Sequence, residues 1–160
     1  MNQERIDLIK LKLTDFNIVF TDITGTPAIN ANPKYIINIC KILKTDPDIS
    51  FEMLLDEMGV DNFKKGIRFE VVCSLYSLKF KDRIFIKVLL DDKNPEMPSL
   101  TILWKGADWY EREAYDMFGI KFTGHPDLRR IYMPEDYEHF PMRKDFPLLG
   151  IPDSIQLPNK

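Results

Sequence analysis

The stretches RFEVVCSLYSL (residues 68–78) and RIFIKVLLD (residues 83–91) are the strongest secondary-structure signals in the chain. β-branched and aromatic side chains dominate both stretches, which predicts two strands. Only residues 79–82 separate them, and a connection of this length is typical of a β-hairpin. We therefore expect an antiparallel pair of strands at the centre of the fold.

A helix and a strand pair are predicted near the N-terminus. Apolar side chains recur at helical spacing over residues 4–15, which indicates an amphipathic helix. Residues 17–22 and 28–31 have strand character, and the Thr-Gly-Thr-Pro sequence at residues 24–27 predicts the turn between them. The segment therefore predicts a helix followed by two short paired strands.

A second helix is predicted to begin at Asn32, which can act as the N-cap, with Pro33 at the first helical position. This helix would end at Asp46. Residues 51–60 fit a helix or a strand equally well. Residues 92–98 contain two prolines and are predicted to form a loop.

A third helix is predicted over residues 108–118, where apolar side chains again form one stripe. Asp108 could cap its start, and Glu111 at the third helical position would complete a capping box. Arg112 and Asp116 have the i, i+4 spacing of an ion pair on one helix face. We expect all four side chains to stabilise this helix locally.

The character of the sequence changes at Gly119, which is well placed to end the third helix. Six of the eleven prolines follow it, and little helix or strand pattern remains. The stretch keeps many aromatic and aliphatic residues, which a disordered tail would lack. We expect an extended arm that packs against its own domain or against a partner.

These patterns predict an α+β fold, with a mixed or antiparallel sheet packed by helices in two layers. We expect an α+β domain at residues 1–118, ending in the third helix, and an extended arm at residues 119–160.

Composition excludes several functions. The formal net charge of −3 disfavours nucleic acid, which requires a basic surface. Cys40 and Cys73 are the only cysteines, too few for an iron–sulfur cluster, which usually needs about four thiolates. Both lie in apolar stretches and are expected to be buried in a reducing compartment. The sequence contains no glycine-rich phosphate-binding pattern, so nothing in it suggests that the chain binds NADH or flavin.

The sequence also indicates a location. It has no apolar run long enough to span a bilayer. Glu4 and Asp7 make the N-terminus too acidic for a transit peptide, and it lacks a signal-peptide core. We expect a protein on the cytosolic side that reaches a membrane only through partners.

The densest polar cluster raises the question of a metal site. Glu113 and Asp116, at i, i+3, could share a helix face, and His125 could reach them from the following loop. These residues form an alternative hypothesis of a free-standing metalloenzyme. Capping, ion pairing and loop anchoring explain the same three residues more simply.

Two basic pairs, Arg129-Arg130 and Arg143-Lys144, lie among aromatic residues and prolines. Arginine with aromatic residues is typical of protein interfaces, and nearby acids supply a counterpart. We favour ion pairing across an interface over solvated surface charge. A nucleic-acid-binding module is a weaker interpretation, because those acids would repel phosphate.

Residues 107–148, ADWYEREAYDMFGIKFTGHPDLRRIYMPEDYEHFPMRKDFPL, make the sequence recognisable. This run resembles the signature of the C subunit of complex I-type NADH:quinone oxidoreductase. Residues 111–131 match a family pattern close to E-R-E-x-x-D-M-F-G-I-x-F-x-G-H-P-D-L-R-R-I. Residues 134–147 match a second block, P-E-D-[WY]-x-x-x-P-[ML]-R-K-D-[YF]-P. Phe146, where tyrosine is common, is a minor departure.

The resemblance implies a peripheral-arm component that docks on the D subunit of complex I, next to the B and I subunits, and binds no cofactor itself. The complex transfers electrons from NADH through FMN and iron–sulfur clusters to quinone and couples this to proton translocation. It lies at the inner (cell) membrane, with this component peripheral on the cytoplasmic side. The equivalent component of a ferredoxin- or reduced-deazaflavin-dependent complex, or of an energy-converting hydrogenase, is an alternative.

The resemblance places the candidate interface in the motif. No catalytic, cofactor-binding or metal residue is assigned. The expected interface residues are Glu111, Arg112, Glu113, Asp116, His125, Arg129, Arg130, Arg143, Lys144 and Asp145.

Overall fold

The computed structural model describes residues 1–152, and the predicted hairpin lies at the centre of its main sheet. Strand β4 (Ile67–Ser77) pairs antiparallel with β5 (Asp82–Asp91). On the other side of β4 lies β3 (Met53–Asp61), also antiparallel, which resolves the ambiguous stretch at residues 51–60 as a strand. β3 forms one edge of the sheet.

The N-terminal strand pair completes the five-stranded sheet. Strand β1 (Val19–Ile23) pairs antiparallel with β2 (Thr26–Ala31), and β2 pairs parallel with β5. The order is β1-β2-β5-β4-β3, so the sheet is mixed, as predicted.

Three helices cover one face of this sheet. They are α1 (Gln3–Lys12), α2 (Ile36–Thr45) and α3 (Ala107–Phe118). Apolar residues of all three pack against alternate residues of β4 and β5 in one contiguous core. The chain is therefore an α+β fold with two layers. Among residues 1–152, no helix is long and apolar enough to cross a bilayer.

The second helix begins differently from the prediction. Asn32 caps a short 3-10 helix at Pro33–Tyr35, where its side chain accepts a hydrogen bond from the Lys34 amide at 2.9 Å. α2 continues from there and ends at Thr45, just before Asp46.

The predicted loop at residues 92–98 and the start of the predicted arm contain a small second sheet that the sequence did not indicate. Strand β6 (Glu96–Pro98) pairs parallel with β7 (Lys121–Thr123). Strands of three residues are too short to give a periodic signal. Residues 124–152 form no helix or strand, and residues 153–160 of the predicted arm lie outside the described residues.

The two cysteines lie in the core, as expected. Cys40 on α2 and Cys73 on β4 are fully buried free thiols. Burial raises the pKa of both thiols. Both are therefore poor nucleophiles and act as small apolar side chains.

Candidate functional site

Three charged residues of α3 are almost fully withdrawn from solvent. Glu111 and Asp116 are fully buried, and Arg112 is 8% exposed. A buried charge is costly unless it is paired or hydrogen-bonded. The groups that bind these three side chains therefore indicate the structural role of this part of the motif.

Asp116 holds the chain segment that follows β7. Its Oδ1 accepts a hydrogen bond from Arg130 Nη1 at 2.7 Å. Its Oδ2 accepts hydrogen bonds from three consecutive backbone amides, those of Ile131, Tyr132 and Met133, at 2.7–3.0 Å. Burial disfavours the charge, but these hydrogen bonds prevail and lower the pKa of Asp116.

Arg112 serves the same segment. Its Nε donates to the Arg129 carbonyl at 3.2 Å and its Nη2 to the Arg130 carbonyl at 3.4 Å. The predicted helix ion pair with Asp116 is therefore wrong. Arg112 instead lies 4.0 Å from Asp108, because Arg130 occupies the Asp116 carboxylate.

Glu111 points into the core and does not complete a capping box. Its Oε1 accepts a hydrogen bond from the Leu100 amide at 2.6 Å. The helix N-cap is Gly106, which has no side chain to cap with, so the predicted cap by Asp108 is also wrong. Burial raises the pKa of Glu111 to about 7, and hydrogen bonds from Ser99 and the Leu100 amide oppose that shift.

His125 anchors the loop after β7. Its side chain is fully buried, and its Nδ1 accepts a hydrogen bond from the Asp127 amide at 3.0 Å. That bond leaves Nε2 to carry the proton, 3.3 Å from the Asp108 carbonyl. Nε2 also lies 4.0 Å from Glu111 Oε2. The imidazole therefore ties the loop to the first turns of α3.

The hypothetical metal ligands do not come together. Asp116 is committed to Arg130 and three amides, and His125 lies beside Asp108 and Glu111 rather than Glu113. In residues 1–152, no group of three or more His, Cys, Asp or Glu is arranged to hold a metal ion.

Arg143 packs against the end of α3. Its Nε donates to the Phe118 carbonyl at 2.7 Å, and its guanidinium lies 4.4 Å from the centre of the Phe140 ring. Both side chains approach Gly119, where an added Cβ would lie 2.6 Å from Arg143 and 2.7 Å from Phe140. Gly119 has φ +76°, which few other residues adopt without strain. The predicted helix end is confirmed, and only glycine fits there.

Asp145 and Lys144 attach to the strands β3 and β4. Arg68 of β4 binds Asp61 at the end of β3 and Asp145, each at 2.7 Å. The Lys144 amide donates to Asp61 Oδ2 at 2.9 Å. Burial disfavours the charge on Asp61, but these hydrogen bonds lower its pKa to about 2.

Sequence reasoning missed Asp61 and Arg68 as part of this site. Both precede the recognisable motif, and their partners lie more than 70 residues further along the chain. Arg68 opens the strand pattern and Asp61 begins a polar turn, which are ordinary local roles. No sequence signal could have linked them to Asp145.

Other candidate residues stay accessible. Glu113 is exposed, and Arg129 pairs at 2.9 Å with Asp127 while both remain more than half exposed. Large apolar side chains are exposed nearby, namely Trp109, Tyr132, Met142, Leu148 and Leu149. That the ten motif residues form a subunit interface stays a prediction.

The chain is similar in sequence to known proteins over most of its length. The family model described as "Respiratory-chain NADH dehydrogenase, 30 Kd subunit" matches residues 29–151. The second of the NADH-quinone oxidoreductase C subunits of Rhizobium meliloti (strain 1021) is 50% identical over 131 residues, covering 82% of this chain and 71% of that protein. The NADH-quinone oxidoreductase C subunit of Roseiflexus sp. (strain RS-1) is 43% identical over 147 residues, covering 92% and 84%.

Solved structures share the fold. The trypsin-resistant fragment (1-134) of Nqo5 is 29% identical with a TM-score of 0.68, covering 78% of this chain and 99% of the fragment. A chain of the membrane-bound sulfane sulfur reductase, an archaeal respiratory membrane complex, has a TM-score of 0.75 at 23% identity, covering 92% and 88%. The second likeness shows the fold alone.

The resemblance carried by residues 107–148 is confirmed by these matches. The chain belongs to the family of the 30 Kd subunit of respiratory-chain NADH dehydrogenase, whose bacterial members include the C subunits of NADH-quinone oxidoreductase.

Proposed function

We propose that the chain is the non-redox scaffold C subunit of a complex that transfers electrons from NADH to quinone and couples this to proton translocation. Family membership carries the proposal, because relatives at 43–50% identity bear the name of that complex. The alternative settings, a hydrogenase or a complex with another electron donor, have no comparable support.

The side chains available support a non-redox role. Two cysteines in the whole chain cannot provide the roughly four thiolates of an iron–sulfur cluster. Both are fully buried in the apolar core. The FMN, the clusters and the sites for NADH and quinone would therefore belong to other subunits.

We assign the D subunit as the main partner, with the B and I subunits as neighbours. The contact surface would be formed by the arm at residues 119–160 together with the outer face of α3. The exposed Trp109, Tyr132, Leu148 and Leu149 support this, because aromatic and apolar residues beside arginine are typical of interface cores. The anchoring by Asp116 and Arg112 would fix the arm in the shape that the partner meets.

The same assignment implies a peripheral position on the cytoplasmic face of the membrane. Contact with the bilayer would be indirect, through the subunits on which the chain docks.

Native gel electrophoresis of mildly solubilised membranes tests the assignment. The tagged chain should migrate with the band that oxidises NADH with a quinone acceptor. Deletion of its gene should abolish that band, and re-expression should restore it. Migration only at the mass of the free chain, with the active band intact after deletion, would refute the proposal. Cross-linking followed by mass spectrometry of the band should give links to the D subunit.

A further inference from the structure

A cavity of about 270 Å³ lies between the edge strand β3 and helix α3. Three acidic residues are among those that line it, Asp56, Glu57 and Glu113. Apolar walls are provided by Met58, Tyr110 and Phe118. An acidic cavity with aromatic walls at an open sheet edge suits a cationic group from outside the chain.

Glu57 is the residue that points to a missing partner. It is 2% exposed, and within residues 1–152 neither carboxylate oxygen has a hydrogen-bond partner. Glu57 lies beside Cys73 on the core side of the sheet. Gly59 shares that side, and an added Cβ there would lie 2.7 Å from Phe118 of α3. The side chain of Glu57 therefore lies on the side of β3 that α3 covers.

Two other buried acids on the same two elements have arginine partners, whereas Glu111 of α3 has none. Asp61 of β3 binds Arg68, and Asp116 of α3 binds Arg130. In contrast, no Lys, Arg or His among residues 1–152 forms an ion pair with a cavity carboxylate. The contact of Glu113 is a weak one, 3.5 Å from the Tyr132 hydroxyl. A buried polar group without a partner costs free energy, so this arrangement favours a cation supplied from elsewhere.

We propose that this cavity receives an arginine side chain of a neighbouring subunit, which makes it a docking site for the chain within its complex. The inference rests on the proposed function and adds to it a specific contact away from the arm. A guanidinium fits better than an ammonium, because its planar fork can bind several carboxylates while its face stacks on Tyr110 or Phe118.

The isolated chain tolerates the empty cavity because Glu57 can stay neutral. Burial, and then the negative charges of Glu111 and Asp56, raise its pKa well above the usual range. An entering guanidinium would reverse this effect and ionise the carboxyl group. The charge pair then forms only in the complex.

Site-specific photo-cross-linking tests the occupant directly. Benzoylphenylalanine would replace Met58, which lines the cavity and is 41% exposed. Met53 is the matched control, since it lies on the same strand with 39% exposure but outside the cavity. In the intact membrane complex, position 58 should capture a peptide of another subunit with an arginine at the site of attachment. A captured segment that offers only lysine, or equal yields at the two positions, would overturn the proposal.

Glu57→Gln separates docking from folding. Burial raises the pKa of Glu57 and so favours the neutral carboxyl, which Gln resembles in shape; the substitution should leave the urea unfolding midpoint of the purified chain unchanged. The variant should dissociate from the solubilised complex at least about tenfold faster than the wild type, since a buried charge pair is lost. A lowered midpoint would mean that Glu57 stabilises the fold of the chain. An unchanged dissociation rate would mean that no arginine of another subunit binds Glu57. Either result overturns the inference. If the wild-type chain is itself absent from the complex, the proposed function fails first.

Discussion

At the scale of single residues, the charged side chains of the motif act mainly as internal anchors. Asp116 alone satisfies one guanidinium and three backbone amides of a segment that has no helix or strand to hold it. Arg112 of α3 and Arg68 of β4 bind the same segment, and Arg143 within the segment binds the end of α3. Backbone N–H groups that are withdrawn from water and lie outside helices and strands need such side-chain partners.

Asp116→Asn tests this anchoring. The uncharged amide of Asn cannot form an ion pair with Arg130. Its NH2 group would also face backbone N–H groups, which need a hydrogen-bond acceptor. We expect the free energy of unfolding to fall by about 3 kcal/mol. Urea denaturation of the purified chain measures it. Glu113→Gln, on the same helix but exposed, should change stability by less than about 0.5 kcal/mol. Equal effects would show that Asp116 is not the anchor.

Asp61 gives the chain a pH dependence of known sign. Its pKa of about 2 lies below the usual 3.8, so the native state favours the ionised form. The resulting stabilisation, about 2 kcal/mol, is present at neutral pH and is lost as the pH falls from about 4 to 2. Asp61→Asn should remove it at pH 7 and flatten the unfolding free energy over that interval. Asp127→Asn, in an exposed pair, should retain the wild-type slope; a wild-type slope in Asp61→Asn would contradict this account.

At the scale of elements, α3 is the support on which the C-terminal segment is built. Its core side packs on the sheet, and its last turn ends at Gly119, against which Arg143 and Phe140 lie. The helix thus joins the α+β domain to residues 124–147. A change at its C-terminal end should affect the segment more than the sheet.

Gly119→Ala tests that junction. A methyl group would strain a residue at φ +76° and collide with Arg143 and Phe140. We expect a loss of about 2–4 kcal/mol, from backbone strain together with overpacking. Limited proteolysis should then cut after residue 124 faster than in the wild type. Gly106→Ala at the start of α3 meets no atom within 4 Å and should behave like the wild type. Undisturbed proteolysis in Gly119→Ala would show that the segment does not depend on this junction.

The elements also show what the sequence can and cannot predict. The hairpin β4–β5, the strand pair β1–β2 and the end of α3 follow from local signals, and all three are predicted. The strands β6 and β7 are missed because three residues carry no period. The caps and pairs assigned to Asp108, Glu111 and Arg112 are wrong because distant groups, such as the Leu100 amide and Arg130, compete for the same atoms. Local spacing suggests possible partners, and tertiary packing selects among them.

At the scale of the whole molecule, two neighbouring arginines have different roles, one in folding and the other in the proposed assembly. Arg130 is buried and paired with Asp116, whereas Arg129 is 61% exposed. An exposed group such as Arg129 can contact another subunit without disturbing the chain. The predicted interface therefore contains residues of two kinds, anchors and contacts.

Arg130→Ala should destabilise the chain itself by about 3–5 kcal/mol, because it leaves a buried carboxylate without its partner. Arg129→Ala should change the stability of the purified chain by less than about 1 kcal/mol, since exposed pairs contribute little. If Arg129 contacts a partner acid, this variant should still lower the amount of assembled complex. Assembly at the wild-type level with lost turnover would contradict a scaffold role.

We infer that the chain is a cofactor-free subunit of an NADH:quinone oxidoreductase. Affinity capture of the tagged chain from mildly solubilised membranes, with iron and flavin analysis beside the purified chain, tests it most directly. We predict that the captured material oxidises NADH with quinone and contains flavin and iron, while the purified chain contains neither. Capture of the chain alone, or stoichiometric metal or flavin in the purified chain, would contradict the account.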